Sequence, residues 1–287
     1  MGLIKTGCNI VQSMVNDQYR GVYAVDAMYA DVLAVRAGKR VWGRRNGTKV
    51  EESSVITNGS VIVVGEGQCM IVTNQGKVAE VCAVPGEFLY DKDGEPSLLY
   101  DEGGDDNTRA VMTNLYERLS FGNVAPREQR VYFINTKEIT GNKYGTPNPI
   151  PFRLTDPRLG YELDISLRCF GEYSYRITDP LRFFENVCGN MADTFRREAL
   201  DGQLRTELLT GLQAAFARLS ASGVWYSDLP SHTTEITESL SESLSTAWRE
   251  KRGISIVTFG ISSVSVVPED VELIRALQRK ALLDNGK

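Results

Sequence analysis

The sequence predicts an α+β protein, with a strand-rich first half, a helical second half and a short amphipathic helix ahead of both. Three observations carry this prediction. Residues Tyr161 to Thr178 alternate apolar and polar with a period of two. Apolar residues from Leu204 to Trp248 step by three and four. The patterns run as strands, then helices, then a strand and a helix, and not as the repeated βαβ units of a parallel sheet. At 287 residues the chain is long enough for one large domain or two small ones with real cores.

The first element is expected over residues 1–20. Ile4, Cys8, Val11 and Val15 are spaced as one face of a helix, and Leu3, Ile10 and Met14 widen it. With Lys5 and Arg20 as the cations nearby, such a helix would meet a membrane by apolar burial. Leu3, Ile4, Ile10, Val11 and Met14 are therefore the candidate membrane contacts. Met1-Gly-Leu-Ile-Lys-Thr6 also matches the short N-myristoylation pattern, which has meaning only in a eukaryotic cell.

Residues 21–267 are expected to form the main domain. Between Val22 and Tyr90, clusters at Val32 and Val35, Val61 to Val64, Met70 to Val72 and Val78 to Val81 read as strands broken by Gly and Asn turns. Asn74-Gln-Gly76 reads as a hairpin loop, and Asn58-Gly-Ser60 as another turn. Asn46-Gly-Thr48 reads the same way, although both tripeptides match a glycosylation sequon. The run Arg36 to Arg45 holds five cations around Gly38 and Gly43 and is expected to be an exposed basic loop.

Residues 91–106 hold seven acids, three glycines and one lysine, which predicts a mobile acidic loop. A short helix carrying Val111, Met112, Leu115 and Leu119 is expected after it. In the long alternating strand Gly171 is expected to mark a bend or bulge. Asp179-Pro180 should stop that strand and start a helical turn.

Leu204, Leu208, Leu212, Phe216 and Leu219 form the stripe of one helix, which Gly223 should end. Ile236, Leu240, Leu244 and Trp248 form the stripe of a second helix, ending near Gly253. A strand returns over Ile254 to Val267. Residues 268–287 begin a third helix with Val271, Ile274, Leu277 and Ala281 in line, and these four are the candidate oligomer contacts.

Composition narrows the function. A net charge of −5 and a pI near 5.2 argue against a nucleic-acid partner. Five scattered cysteines without a C-x-x-C pair suit a reducing cytoplasm better than a disulfide framework. Neither a secretory leader nor an apolar run of spanning length is visible.

Catalytic patterns fail one by one. His232 is the single histidine, so no two-histidine metal site can form, and it reads as a helix-start residue. Gly65-Glu-Gly67 and Gly141-Asn-Lys-Tyr-Gly145 lack the rest of a phosphate loop and read as turns. Tyr173, Tyr175, Phe183 and Phe184 read as core. Asp101, Glu102, Asp105 and Asp106 could hold a hard cation, but without EF-hand spacing a solvated loop is expected. No catalytic residue, no metal ligand and no cofactor are expected from these patterns. The alternatives from other classes are a metal-dependent hydrolase built on the acidic loop and, implied only by the label of a branch that the segments below resemble, a phage or viral structural protein.

Several segments together resemble the SPFH, or Band 7, family of stomatin, prohibitin and flotillin. Val64-Gly-Glu-Gly-Gln68, Gln75-Gly-Lys-Val78 and Val84-Pro-Gly-Glu-Phe88 resemble its opening hairpin and P-G turn. Tyr175-Arg-Ile-Thr-Asp-Pro180 with Phe183-Phe184 resembles its strand, D-P, aromatic junction. Trp248 to Val257 resembles its turn from the last long helix into the last strand. Gly67 to Ile71, Phe133-Ile-Asn-Thr-Lys-Glu138 and Gly145 to Pro151 are similar to a bacterial branch labelled virion core protein-like. The resemblance implies a non-catalytic scaffold that homo-oligomerises at the cytoplasmic face of a membrane and recruits a membrane-protein partner, as in membrane stress responses. Many members of that family continue from the last helix into a long coiled coil, and members of the bacterial branch often end in a small zinc ribbon.

Overall fold

The computed structural model describes residues 4–6, 21–42, 48–51, 55–90, 98–99, 128–156 and 161–284. Its contacts divide the chain into two units, residues 1–137 with 180–197, and residues 138–179 with 198–287.

The first unit is built from strands. They are β1 (Ile4–Thr6), β2 (Val22–Tyr23), β3 (Val32–Ala37), β4 (Lys39–Trp42), β5 (Thr48–Glu51) and β6 (Val61–Val64). They continue with β7 (Gln68–Asn74), β8 (Lys77–Cys82), β9 (Gly86–Tyr90), β10 (Leu98–Leu99) and β11 (Gln129–Asn135). One six-stranded sheet has the order β1-β9-β6-β2-β4-β5. The other takes β10-β8-β7-β11-β3 and ends on a later short strand, Thr194–Arg196. Tyr23, Ile62, Phe88 and Tyr90 of the first sheet share a buried core with Met70, Val72, Val131 and Phe133 of the second. Strands buried from both sides lose clean alternation: six consecutive positions of β7 are buried.

Turn chemistry fixes the register. Gln75 and Gly76 both adopt positive φ, 50° and 76°, between paired Asn74 and Lys77. That is the two-residue hairpin whose twist suits its strands, as expected from Asn74-Gln-Gly76. Gly59 and Gly67 also turn the chain with positive φ.

Several expectations are corrected in this unit or fall outside the described residues. Ile4–Thr6 is a strand paired antiparallel with Phe88–Tyr90, not the start of a helix; the open edge of β9 offers backbone partners that a helical segment could not use. Arg36, Lys39 and Arg40 lie on β3 and β4 and not in a loop, because only Gly38 separates the two strands. Leu98–Leu99, inside the segment read as an acidic loop, pairs parallel with Val81–Cys82. The rest of that segment, the helix expected near Leu115, and Asn46-Gly47 lie outside the described residues.

The second unit is one antiparallel sheet with helices on one face. β12 (Glu138–Gly145) and β13 (Ile150–Asp156) both pair with β14 (Tyr161–Ile177). After β15, the strand Thr194–Arg196 of the first unit, β16 (Ile254–Val266) pairs with β14 on its other side. The alternation of β14 is realised in burial: Ile165, Leu167, Cys169, Tyr173, Tyr175 and Ile177 are buried. Glu162, Asp164, Arg168, Phe170, Glu172 and Arg176 are exposed. Ser174 is the exception, buried against the Thr258 hydroxyl at 2.7 Å.

Gly171 sits at a register shift between β14 and β16, and a Cβ there would lie 2.0 Å from the Gly260 carbonyl oxygen. The absent side chain lets Tyr144 reach across from β12. Its ring stacks on Phe259 at 4.8 Å, and its hydroxyl donates to the Gly260 carbonyl at 3.1 Å. Gly141 to Gly145 is thus not a turn but part of β12, which bulges between Ile139 and Asn142, where Asn142 Nδ2 donates to the Ile139 and Tyr173 carbonyls.

The helices follow their stripes. α1 (Pro180–Phe183) is a short turn of the first unit that widens into a π-helical stretch, Phe184–Cys188. Phe184 packs on Tyr132 at 4.9 Å there. α2 (Glu198–Ala221) buries Leu204, Leu208, Leu212, Phe216 and Leu219. Gly223, with φ of 78°, donates to the Ser220 carbonyl while Val224 donates to that of Leu219, the Schellman end of a helix. α3 (Thr233–Leu244) continues through a π-helical stretch, Ser245–Glu250, and buries Ile236, Leu240, Leu244 and Trp248. α4 (Pro268–Asp284) starts on a proline, with Glu269 and Asp270 in its first turn, where negative charge suits the helix dipole.

Candidate assembly and membrane surfaces

The groups with chemical potential are mostly locked away. Cys69, Cys82 and Cys169 are buried thiols, and Cys188 is half-buried. Burial pushes the Cys169 thiol up to about 11 and that of Cys188 up to about 12, the reverse of what a thiolate nucleophile needs. His232 precedes α3, and its Nδ1 lies 2.9 Å from Glu235 Oε1, so it serves as the helix-start residue expected. Among the described residues no group of three His, Cys, Asp or Glu side chains could hold a metal. Asp101, Glu102, Asp105 and Asp106 lie outside them.

One ionic cluster organises the helical layer. Glu207 on α2 accepts from Arg252 Nη1 at 2.7 Å and Nη2 at 2.9 Å, and from Trp248 Nε1 at 2.8 Å. The hydrogen bonds from Arg252 are the main reason its carboxyl is held below the ordinary glutamate range, with help from Gln203 and Trp248. The cluster ties the π-helical stretch to α2 just before Gly253.

At Gly253 two distant segments meet. Its carbonyl accepts from Thr178 N at 2.8 Å, Asp179 N at 3.0 Å and Thr178 Oγ1 at 3.3 Å. A Cβ on Gly253 would lie 2.3 Å from the Asp179 carbonyl oxygen. The D-P junction and the turn after Trp248 are therefore one structural feature.

The predicted oligomer contacts fall on α4 and are brought together there. Ile274 is buried, Val271 and Leu277 are half-buried, and Ala281 belongs to the helix with its side chain outside the described residues. Leu273, which the stripe did not include, is 44% exposed. The helix is hinged to the sheet by Asp270, whose Oδ2 accepts from Ser166 N at 2.7 Å. Of the predicted membrane contacts, Ile4 lies in β1, and Leu3, Ile10, Val11 and Met14 lie outside the described residues.

Sequence reasoning missed the segment from Ala24 to Asp31. It has no regular structure, yet two buried amides hold it. Gln68 Nε2 donates to the Val25 and Asp26 carbonyls at 3.3 and 3.2 Å. Asn135 Nδ2 donates to the Tyr29 and Val32 carbonyls at 3.2 and 2.9 Å. Gln68 and Asn135 belong to the Val64–Gln68 and Phe133–Glu138 motifs, so their side chains had a task that spacing could not reveal. Tyr29, at 78% the most exposed large apolar side chain of the described residues, rides on this segment.

A family model for the SPFH domain-Band 7 family matches residues 49–284. The chain belongs to the SPFH domain-Band 7 family. Its members are generally non-catalytic, membrane-associated scaffolds, and they homo-oligomerise. No curated protein matches the chain. No helix among the described residues is long and apolar enough to cross a membrane.

Proposed function

We propose that this SPFH chain is a non-catalytic scaffold that homo-oligomerises on the cytoplasmic face of a membrane and recruits a membrane-protein partner there. The observation that carries the reading is the family match across residues 49–284. The apolar stripe of α4 supports it. A 17-residue helix is close to the length at which isolated helices are marginal in water, and Leu273 and Leu277 leave part of its apolar surface uncovered. A neighbouring subunit is the natural cover. The apolar residues Leu3, Ile10, Val11 and Met14 are proposed to add membrane contact by burial.

Light scattering of the purified chain tests the assembly half of this reading. Ending the chain at Val267 is expected to shift the particle towards monomer, and deleting residues 93–106 to leave the subunit number unchanged. An unchanged particle in the shortened chain would remove α4 from the contact. Vesicle flotation tests the membrane half, and a chain that never floats would defeat it.

A further inference from the structure

Alongside Tyr29 lies a cleft of about 290 Å³ within the first unit. Val25, Met28, Val32 and Val35 give it apolar walls, and Arg36 and Arg40 give it charge. Among the described residues Asp26 is the single acid on its lining, and it pairs with Arg40 at 3.2 Å while remaining 91% exposed itself. Arg36 donates one bond to the Ala192 carbonyl at 3.3 Å. A guanidinium carries five N–H donors, so each arginine retains donors that these bonds do not use.

The wall that carries Tyr29 is preorganised. Residues 24–31 make no strand, so their carbonyls would otherwise face water or rearrange. Gln68 and Asn135, only 4% and 1% exposed, hold four carbonyls of residues 25–32 in place. Asn135 is itself fixed, because its Oδ1 accepts from Lys137 N at 3.1 Å. Gln68 Oε1 likewise accepts from Gly65 N at 3.1 Å. Buried amides cost free energy unless fully bonded. Here they keep an irregular loop in one shape and an aromatic ring in solvent.

We propose that this cleft is a binding site for the phosphate headgroup of an anionic phospholipid at a membrane surface, with Arg36 and Arg40 on the phosphate and Tyr29 in the interfacial layer. The proposal rests on the membrane-associated reading above and names the surface that serves it. Two arginines against one exposed acid favour an anion. The apolar walls and the exposed ring favour an amphiphile over a free ion, since an aromatic ring with one polar end suits the boundary between headgroups and acyl chains.

The test is flotation of the full chain with phosphatidylcholine vesicles, with and without phosphatidylglycerol. Wild type is expected to bind better when phosphatidylglycerol is present. R36Q/R40Q should lose about 30-fold of that binding, taking roughly 1 kcal/mol for each cation at an anionic surface. Tyr29→Ala should lose several-fold on both vesicle types. Tyr29 is so exposed that its truncation cannot plausibly unfold the chain, and a thermal melt checks the double variant. Unchanged flotation of R36Q/R40Q would overturn the proposal and leave membrane association standing. A wild type that floats with neither vesicle would overturn both. If inorganic phosphate raises the melting temperature through the same arginines while vesicles do not bind, the site takes a free anion and the lipid assignment fails.

Discussion

The two units reach stability by different means. In the second, β14 buries its odd positions and the helices bury stripes at steps of three and four, so one periodic pattern decides which side chains meet. In the first, two sheets bury strands on both faces. Parts of the chain between strands are held by polar side chains such as Gln68 and Asn135. Periodic burial tolerates exchange of any exposed residue. A pinned loop depends on a few amides for which no apolar residue can substitute.

The largest expected effect lies in the sheet of the second unit. Leu167→Ala should cost about 2–5 kcal/mol in a urea titration, because it empties a fully buried site between two partner strands. A cost near zero would break the periodic account of this unit. In the first unit, Asn135→Leu leaves the Tyr29 and Val32 carbonyls without their amide donor, and should cost about 1–3 kcal/mol. If Asn135→Leu proved neutral, pinning would not be what distinguishes the units.

A smaller effect sharpens the comparison, because one polar cluster also serves the second unit. Glu207→Gln should cost about 1 kcal/mol near neutral pH, where the ionised carboxylate accepts from Arg252 and Trp248. The folded protein holds this carboxyl below its ordinary value, so its contribution is fully present above the unfolded glutamate range. It is lost as pH falls through that range towards the lower folded value. Urea titrations at descending pH should therefore show wild type and E207Q converging, and a gap that stays constant would discard the assignment. The smallest effect belongs to Arg168→Ala on the exposed face of β14, expected to cost well under about 1 kcal/mol. Equality with Leu167→Ala would refute the one-sided strand.

Much of the second unit was legible in the sequence, since Tyr161 to Thr178 and the stripes ending at Leu219 and Trp248 are unambiguous periods. Gly171 and Asp179-Pro180 were legible because glycine and proline restrict the backbone directly. Gly141 to Gly145 was misread because a bulge and a turn use the same residues, and only the partner strand tells them apart. Ile4–Thr6 was misread because Ile4, Cys8 and Val11 suit a helix locally, while the edge of β9 that claims Ile4 lies more than eighty residues away. The cleft stayed hidden for a similar reason. Arg36 and Arg40 were visible as a basic run, but nothing local connects them to Gln68 or Asn135.

The division of the chain also orders its biosynthesis. The first unit ends at Arg197, whereas the second needs β16, which begins at Ile254. On a ribosome adding roughly 5–20 residues per second, β14 waits on the order of seconds for the strand that covers one of its edges. Eleven of its residues, Leu167 to Ile177, await partners on β16 during that interval. An unpaired edge of that length is a template for joining another nascent chain. Slow synthesis between Arg197 and Ile254 would thus be paid for in aggregation, while the first unit could already have folded.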